Sequence, residues 1–221
     1  MTGRILTIAA LTGATLLGTV PANAEVGIGA DVYNRYVWRG HNIGDAVSVQ
    51  PYVSYTTGNI EIGAWSAWSI TSSANENDLY ATYSTGPVAV TVTDYYNPHP
   101  NNHFLDYNSD TGAHTVEAMV SYDMGVASIM GAFNFHGDAQ DSYYVELGLP
   151  LAALSDDESD VSLSVGLGSG AYVTDDPATP KVEEDPTLVV IGLNFSKGDY
   201  SASYIVNPDS EQSYLVFGKR L

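Results

Sequence analysis

The side chains most able to do chemistry in this sequence fall on short segments in which polar and apolar residues alternate. Asp31, Tyr33 and Arg35, followed by Arg39, share one parity, opposite Val26, Ile28, Ala30 and Val32. Glu61, Glu117 and Glu146 stand in the same relation to apolar neighbours on three later segments, and the first long connection brings Gln50 roughly opposite Arg35. A few bases among several acids, if they project into one confined space, do one of two jobs. They pair and brace the interior, or they set a field that admits cations and repels anions.

Other constellations carry less. His99 and His103, with Asp106 and Asp110 nearby, offer imidazole and carboxylate donors to a divalent metal, but in no recognised ligand spacing, so a solvated loop is the expectation. The acidic runs at 156–160 and 183–185 lack the EF-hand pattern and its glycine. Gly166-Leu167-Gly168-Ser169-Gly170 lies inside a strand-like segment, so it implies no phosphate cradle. His114 and His136 could serve a rim hydrolase through Ser or Asp neighbours, yet there is no Gly-x-Ser-x-Gly elbow. This reading assigns no catalytic residue, no metal and no cofactor.

The elements that must position the acids are strands. Val47, Val49, Pro51, Val53 and Tyr55 alternate with polar partners, as do Val161, Leu163, Val165 and Leu167. Similar segments begin near Val26, Ile60, Asp78, Val88, His114, Val126, Ser142, Thr187, Tyr200 and Ser213, which makes twelve strands. Tight turns are expected at Gly58-Asn59, Thr85-Gly86, Met124-Gly125 and Lys197-Gly198; facing parity pairs Thr56 with Glu61, and Phe195 with Tyr200. Longer polar connections at 40–46, 71–77, 97–112, 136–141, 173–186 and 207–212 alternate with them, and 150–160 is a long acidic exception in the short series. Short turns at one end and long loops at the other are the plan of an outer-membrane barrel, against the competing plan of a soluble β-sandwich. Aromatics at strand ends, Tyr36 with Trp38, Trp65 with Trp68, Tyr95 with Tyr96, and Tyr143 with Tyr144, suit interfacial girdles.

Composition closes off several classes. With 26 Asp+Glu against 7 Lys+Arg and a formal charge of −19, the chain has no basic face for nucleic acid. Without cysteine it has no disulfide framework, thiolate metal site or cysteine nucleophile. Arg4, an uncharged run from Ile5 to Val20, and Pro21-Ala22-Asn23-Ala24 form a signal-peptide pattern, with cleavage expected after Ala24.

Over most of the chain after residue 24, and most strongly at its two ends, the sequence resembles the TorF family of bacterial porin-type proteins. The residues concerned are Val32-Tyr33-Asn34-Arg35-Tyr36-Val37-Trp38-Arg39-Gly40, Ser48-Val49-Gln50-Pro51, Ile60-Glu61-Ile62-Gly63-Ala64-Trp65, and Ile205-Val206-Asn207-Pro208 through Tyr214-Leu215-Val216-Phe217-Gly218. The resemblance implies a Gram-negative outer-membrane barrel with a pore function and no catalytic residues. The chain departs from the usual barrel ending, which is a terminal aromatic: Leu221 is last, and Lys219 occupies a position expected to be apolar.

The combined expectation is an all-β protein, with a signal peptide at 1–24 and an antiparallel transmembrane β-barrel of about twelve strands at 25–221. It would sit in the outer membrane, among lipid and lipopolysaccharide, after insertion by the barrel-assembly machinery. There it would pass small cationic or neutral solutes by diffusion, with Asp31, Arg35, Gln50, Glu61, Glu117 and Glu146 lining the pore. A non-conducting structural or adhesive barrel is the alternative, and an outer-membrane hydrolase a more distant one.

Overall fold

The computed structural model describes residues 24–71, 75–98, 102–174 and 186–221. The signal-peptide pattern, His99 and most of 173–186 lie outside them. Twelve antiparallel strands close into a barrel: β1 (Glu25–Tyr33), β4 (Ser48–Thr57), β5 (Ile60–Ser69), β6 (Asn75–Thr85), β7 (Val88–Tyr96), β8 (His114–Asp123), β9 (Ser128–His136), β10 (Tyr143–Pro150), β11 (Ser159–Gly168), β12 (Thr187–Lys197), β13 (Tyr200–Asn207) and β14 (Gln212–Arg220). Two short strands, β2 (Tyr36–Trp38) and β3 (His41–Gly44), form a separate hairpin within the first connection. Among the described residues, no helix is long and apolar enough to cross a membrane.

The period-two pattern has one consequence over most of the wall: apolar side chains point out and polar ones in, with buried Val189, Val190, Ile205 and Val216 as the exceptions. Val26, Ile28, Ile62, Leu79, Val92, Val120, Phe135, Leu147, Ile191 and Phe217 all stand on the open outer surface, with Ile28 as much as 80% exposed. Ser54, Thr91, Ser121, Ser164, Asn194 and Ser203 are buried on the inner one. A water-soluble barrel would have the reverse polarity. Closure also removes the unpaired strand edge that would otherwise present bare N–H and C=O groups.

Glycine and tyrosine shape the inner wall together. Tyr33 covers Gly218, Tyr52 covers Gly29, Tyr80 covers Gly63 and Tyr144 covers Gly166, and a β-carbon at any of these glycines would overlap the ring. The rings therefore lie along the wall rather than across the interior.

The tight turns follow the expected series, with small shifts. Thr57 pairs with Ile60 around Gly58-Asn59, as facing parity requires. Thr85 and Lys197 stay in their ladders, so the two-residue turns are Gly86-Pro87 and Gly198-Asp199, and Phe195 pairs with Ala202 rather than with Tyr200. In both cases the glycine, at φ 56°, takes the first turn position. The β8–β9 turn spans four residues, since Asp123 pairs with Ser128. In the long exception between β10 and β11, Asp156 accepts bonds from the backbone N–H of Glu158 and Ser159 and from the Ser159 hydroxyl.

The seam between β1 and β14 is short, with register pairs only from Asp31↔Arg220 to Tyr33↔Gly218. Asn34 ends it. Its backbone N–H donates to the Phe217 carbonyl at 3.0 Å, but the return bond from the Phe217 N–H goes to its side-chain Oδ1 at 2.8 Å. Its Nδ2 donates to the Leu215 carbonyl at 3.1 Å. The amide thus takes the bond that the residue's own carbonyl would accept in a regular ladder, and the main chain is released from the wall. Asn34→Ala should loosen closure by about 1–3 kcal/mol, the worth of two such bonds, read as a lower urea midpoint and a lower temperature for loss of the compact band on unheated gels. An unchanged midpoint would show that the three ladder pairs suffice.

Candidate functional site: the barrel interior

Once released at Asn34, the chain turns inward as the β2–β3 hairpin. Trp38 pairs with His41 around Arg39-Gly40, whose φ values of 48° and 81° make a left-handed two-residue turn. Gly40 is required twice over, because a β-carbon there would also collide with the Val189 carbonyl. The Asn207 side chain donates to the Gly40 carbonyl at 3.1 Å, and His41 Nε2 lies 2.9 Å from the Tyr172 carbonyl oxygen. The hairpin tip is therefore held to the inner wall. Val37, 1% exposed, packs in one cluster with Tyr144, Tyr172, Val189, Val190, Ile205 and Val216.

Arg39 is the base this hairpin carries inside. Its guanidinium grips Glu117 of β8 with two bonds, Nη1 to Oε2 at 2.5 Å and Nη2 to Oε1 at 2.9 Å, and Nη1 also donates to the Tyr172 hydroxyl at 2.6 Å. The Tyr95 hydroxyl donates to Glu117 Oε1 at 3.0 Å. Rings of Trp38, Tyr144 and Tyr172 lie 4.4, 4.7 and 5.2 Å from the guanidinium carbon. The side chains of the pair are 1% and 2% exposed, so the bond forms with almost all water excluded.

Tyr172 is delivered by a short 3-10 turn, Gly170–Tyr172, which is itself pinned to the β9–β10 loop. Asp138 accepts from Asn134 Nδ2 at 2.9 Å and from the backbone N–H of Gln140 and Ser142, both at 3.0 Å. Ser142 Oγ in turn accepts the Ala171 N–H at 2.8 Å. Partial burial pushes the Asp138 carboxyl up, but the donors from Ser142, Asn134 and Gln140 outweigh it and hold the group below its usual value.

The sequence-predicted pore residues occupy different places. Asp31 stands at the seam, 3.8 Å from Arg220. Gln50, its register partner, is buried and donates to Ser48 Oγ at 3.3 Å. Glu61 accepts from Thr56 at 3.1 Å and from the Tyr80 hydroxyl at 3.0 Å. Glu146 is buried and accepts from the Tyr144 hydroxyl at 2.6 Å. Arg35 is not brought against Gln50: it leaves the wall just after Asn34, pairs with Asp45 at 3.6 Å at the rim, and lies over the Tyr214 ring. The buried internal base is Arg39.

Parity also corrects the girdle expectation. Tyr36, Trp38, Trp65 and Tyr95 line an internal cavity of about 50 Å³, together with Glu76 and Asp78 of β6. Trp68, three residues from Trp65 and so on the other face, is 51% exposed. Sequence reasoning missed Glu76 and Asp78, because that strand was expected to begin only near Asp78.

At the rim, His114 Nδ1 lies 2.8 Å from Asp94 Oδ1 and Nε2 lies 2.7 Å from the Phe104 carbonyl oxygen, with the ring stacked against Tyr96 and Tyr107. His136 Nε2 reaches the Tyr107 carbonyl at 3.0 Å. Both nitrogens of His114 are engaged in bracing the loop before β8. Among the described residues, no group of three or more His, Asp or Glu could hold a metal ion.

Comparison with family models, with curated proteins and with solved structures finds no match.

Two outcomes follow from this geometry. Glu117→Gln should lower unfolding stability by about 3–5 kcal/mol, since it strands the buried guanidinium, whereas Arg39→Met with Glu117→Leu should recover much of the loss; equal loss in both would show that the charge pair is not the determinant. Acid should release Asp138. A carboxyl held low in the fold stabilises above its unfolded value and loses that effect as pH falls through the folded one, so Asp138→Asn should flatten the decline in thermal midpoint below about pH 4.

Proposed function

We propose that this protein is an outer-membrane channel for passive diffusion of small solutes, with a preference for cations. The observation that carries the reading is the inverted polarity of a closed barrel, with large apolar side chains exposed on strand after strand and most buried wall residues polar. Such an exterior matches the solvent of a bilayer, and a closed ladder satisfies every strand there. The export pattern at 1–24 and the TorF-type resemblance agree with a Gram-negative outer membrane, where lipid and lipopolysaccharide would cover the wall and the barrel-assembly machinery would insert it.

Cation preference rests on the internal charge. Glu61, Glu76, Asp78, Glu117 and Glu146 project inward from the wall, while Arg39 is the base buried among them. Low-dielectric walls focus a field of that sign, raising cation concentration and excluding anions. The hairpin narrows the path, so the channel is one for small solutes.

A second reading, a non-conducting structural or adhesive barrel, is favoured by the same hairpin, whose tip is bonded to β13 at Asn207 and across the interior to Glu117 of β8. Planar-bilayer recording separates the two. Asymmetric potassium chloride should give small unitary currents that reverse towards the potassium potential, and Glu61→Gln with Glu146→Gln should weaken that preference more than neutralising Asp156, Asp157 and Glu158. Replacing 36–43 by a short Gly-Ser connection should enlarge the current several-fold. Anion selectivity would overturn the cation reading, and silence from correctly folded protein would leave the structural barrel.

A further inference from the structure

The internal cavity has a chemistry that the channel reading does not by itself specify. Register places Trp65, Asp78 and Tyr95 side by side in one row across β5, β6 and β7. Glu76 lies two residues from Asp78 on the same inner face, and the hairpin brings Tyr36 and Trp38 over them. The Tyr36 ring lies 5.8 Å from Trp65, and the Trp38 ring 5.5 Å from Tyr95. Four aromatic faces thus surround two carboxyls.

Among the described residues, no cationic side chain forms an ion pair with those carboxyls. Arg39, which also lines the cavity, spends its two Nη groups on Glu117 and Tyr172 and leaves its buried Nε without a partner. Glu76 Oε1 accepts one bond from the Tyr36 hydroxyl, at 3.3 Å. Asp78 is 6% exposed, lines the cavity, and its Oδ1 is buried with no hydrogen-bond partner. An orphaned carboxylate oxygen in such a place costs free energy unless something positive or protic fills the space. Glu76 and Asp78 also lie within hydrogen-bonding reach of each other, so the filler is either one shared proton or a bound cation.

The surroundings choose between cations. Calcium takes six to eight oxygen ligands, and this site offers two carboxyls not committed to a base, with Thr91 bonded to Thr82 and Glu117 to Arg39, walled by indole and phenol rings. Aromatic faces attract weakly hydrated organic cations through their negative quadrupole, and carboxylates supply the charge-assisted bonds that an ammonium N–H needs. A cavity of about 50 Å³ suits a small ion. We propose that the cavity formed by Tyr36, Trp38, Trp65, Tyr95, Glu76 and Asp78 binds a small alkylammonium ion, held by the two β6 carboxylates within the aromatic box. This deepens the channel reading, on which it rests for how the ion arrives, and names the solute class.

Binding is testable without current. Trp38 and Trp65 line the cavity and the third tryptophan, Trp68, faces outward, so indole emission of the refolded full barrel in micelles reports on the site. Titration with methylammonium chloride at constant ionic strength, against sodium chloride, should give a saturable change. Glu76→Gln with Asp78→Asn should weaken it at least tenfold. An identical response to sodium, an unchanged midpoint in that double variant, or tighter binding of calcium chloride would overturn the proposal. Should the variant fail to fold, line broadening of ¹³C-methylammonium by the unaltered protein decides, and no broadening beyond that caused by heat-unfolded protein overturns it. The two readings fail separately: a barrel that binds methylammonium but passes no current keeps the site and loses the channel, and a cation-preferring channel with no saturable binding loses the site alone.

Discussion

The bond between Arg39 and Glu117 is the constraint on which the interior is organised. A guanidinium removed from water is tolerable only where its charge is met by a well-aligned carboxylate, and Glu117 meets it with two parallel bonds. That requirement fixes the hairpin tip, because Arg39 reaches Glu117 only if the turn adopts positive φ at both central residues and presses Gly40 against the Val189 carbonyl. It fixes Tyr172 too, whose hydroxyl shares the guanidinium and whose position depends on Ser142 and Asp138. A chain of small hydrogen bonds in two rim loops therefore serves one buried charge.

The wall and the hairpin are two solutions to different problems. A closed ladder gives every strand two hydrogen-bonded neighbours, with β1 and β14 meeting over only three register pairs, so most of the wall needs little packing inside it. Tyrosines laid over glycines keep the wall smooth and leave space within. The hairpin then supplies what the wall lacks, an apolar cluster around Val37 that joins β10, β12, β13 and β14 across the interior.

How much of this the sequence carries depends on the range of the interaction. Strand number, facing and turn placement are local consequences of alternation and glycine, so Thr56 opposite Glu61 could be read from parity alone. The hairpin could not be read so easily. Tyr36-Val37-Trp38 continues the alternation of β1, and only the bond between Asn34 Oδ1 and Phe217, residues 183 apart in the chain, shows that the strand has ended. Arg39-Gly40 was a usable turn signal that lay hidden in what read as one strand and its following loop. Arg35 and Arg39 share a parity and both read as inward-facing, and only the path of the main chain decides that Arg39 is the one buried inside. The aromatic pairs misled in a simpler way: Trp65 and Trp68 are of opposite parity, so one must face inward when residues alternate, while Tyr36 and Trp38 share a parity and both go inside with the hairpin.

The charges that remain once pairs are removed give the interior a direction. Glu117 is met by Arg39, Glu146 by the Tyr144 hydroxyl, and Glu61 by Thr56 and Tyr80. What is left without a charged or full complement of partners is the Glu76–Asp78 pair, near the long-loop end of β6. The described bases other than Arg35 and Arg39 gather at the opposite end of their strands, with Lys197 against Glu158 and Arg220 beside Asp31. A cation approaching from the long-loop side thus meets Glu76 and Asp78 beside the hairpin, whereas at the tight-turn side the bases stand among Asp123, Asp156, Asp157, Glu158 and Asp199. In a channel of the proposed kind the internal acids would weigh more than these outer charges, because they lie within low-dielectric walls while Lys197 is largely exposed and screened within about 8 Å at physiological salt.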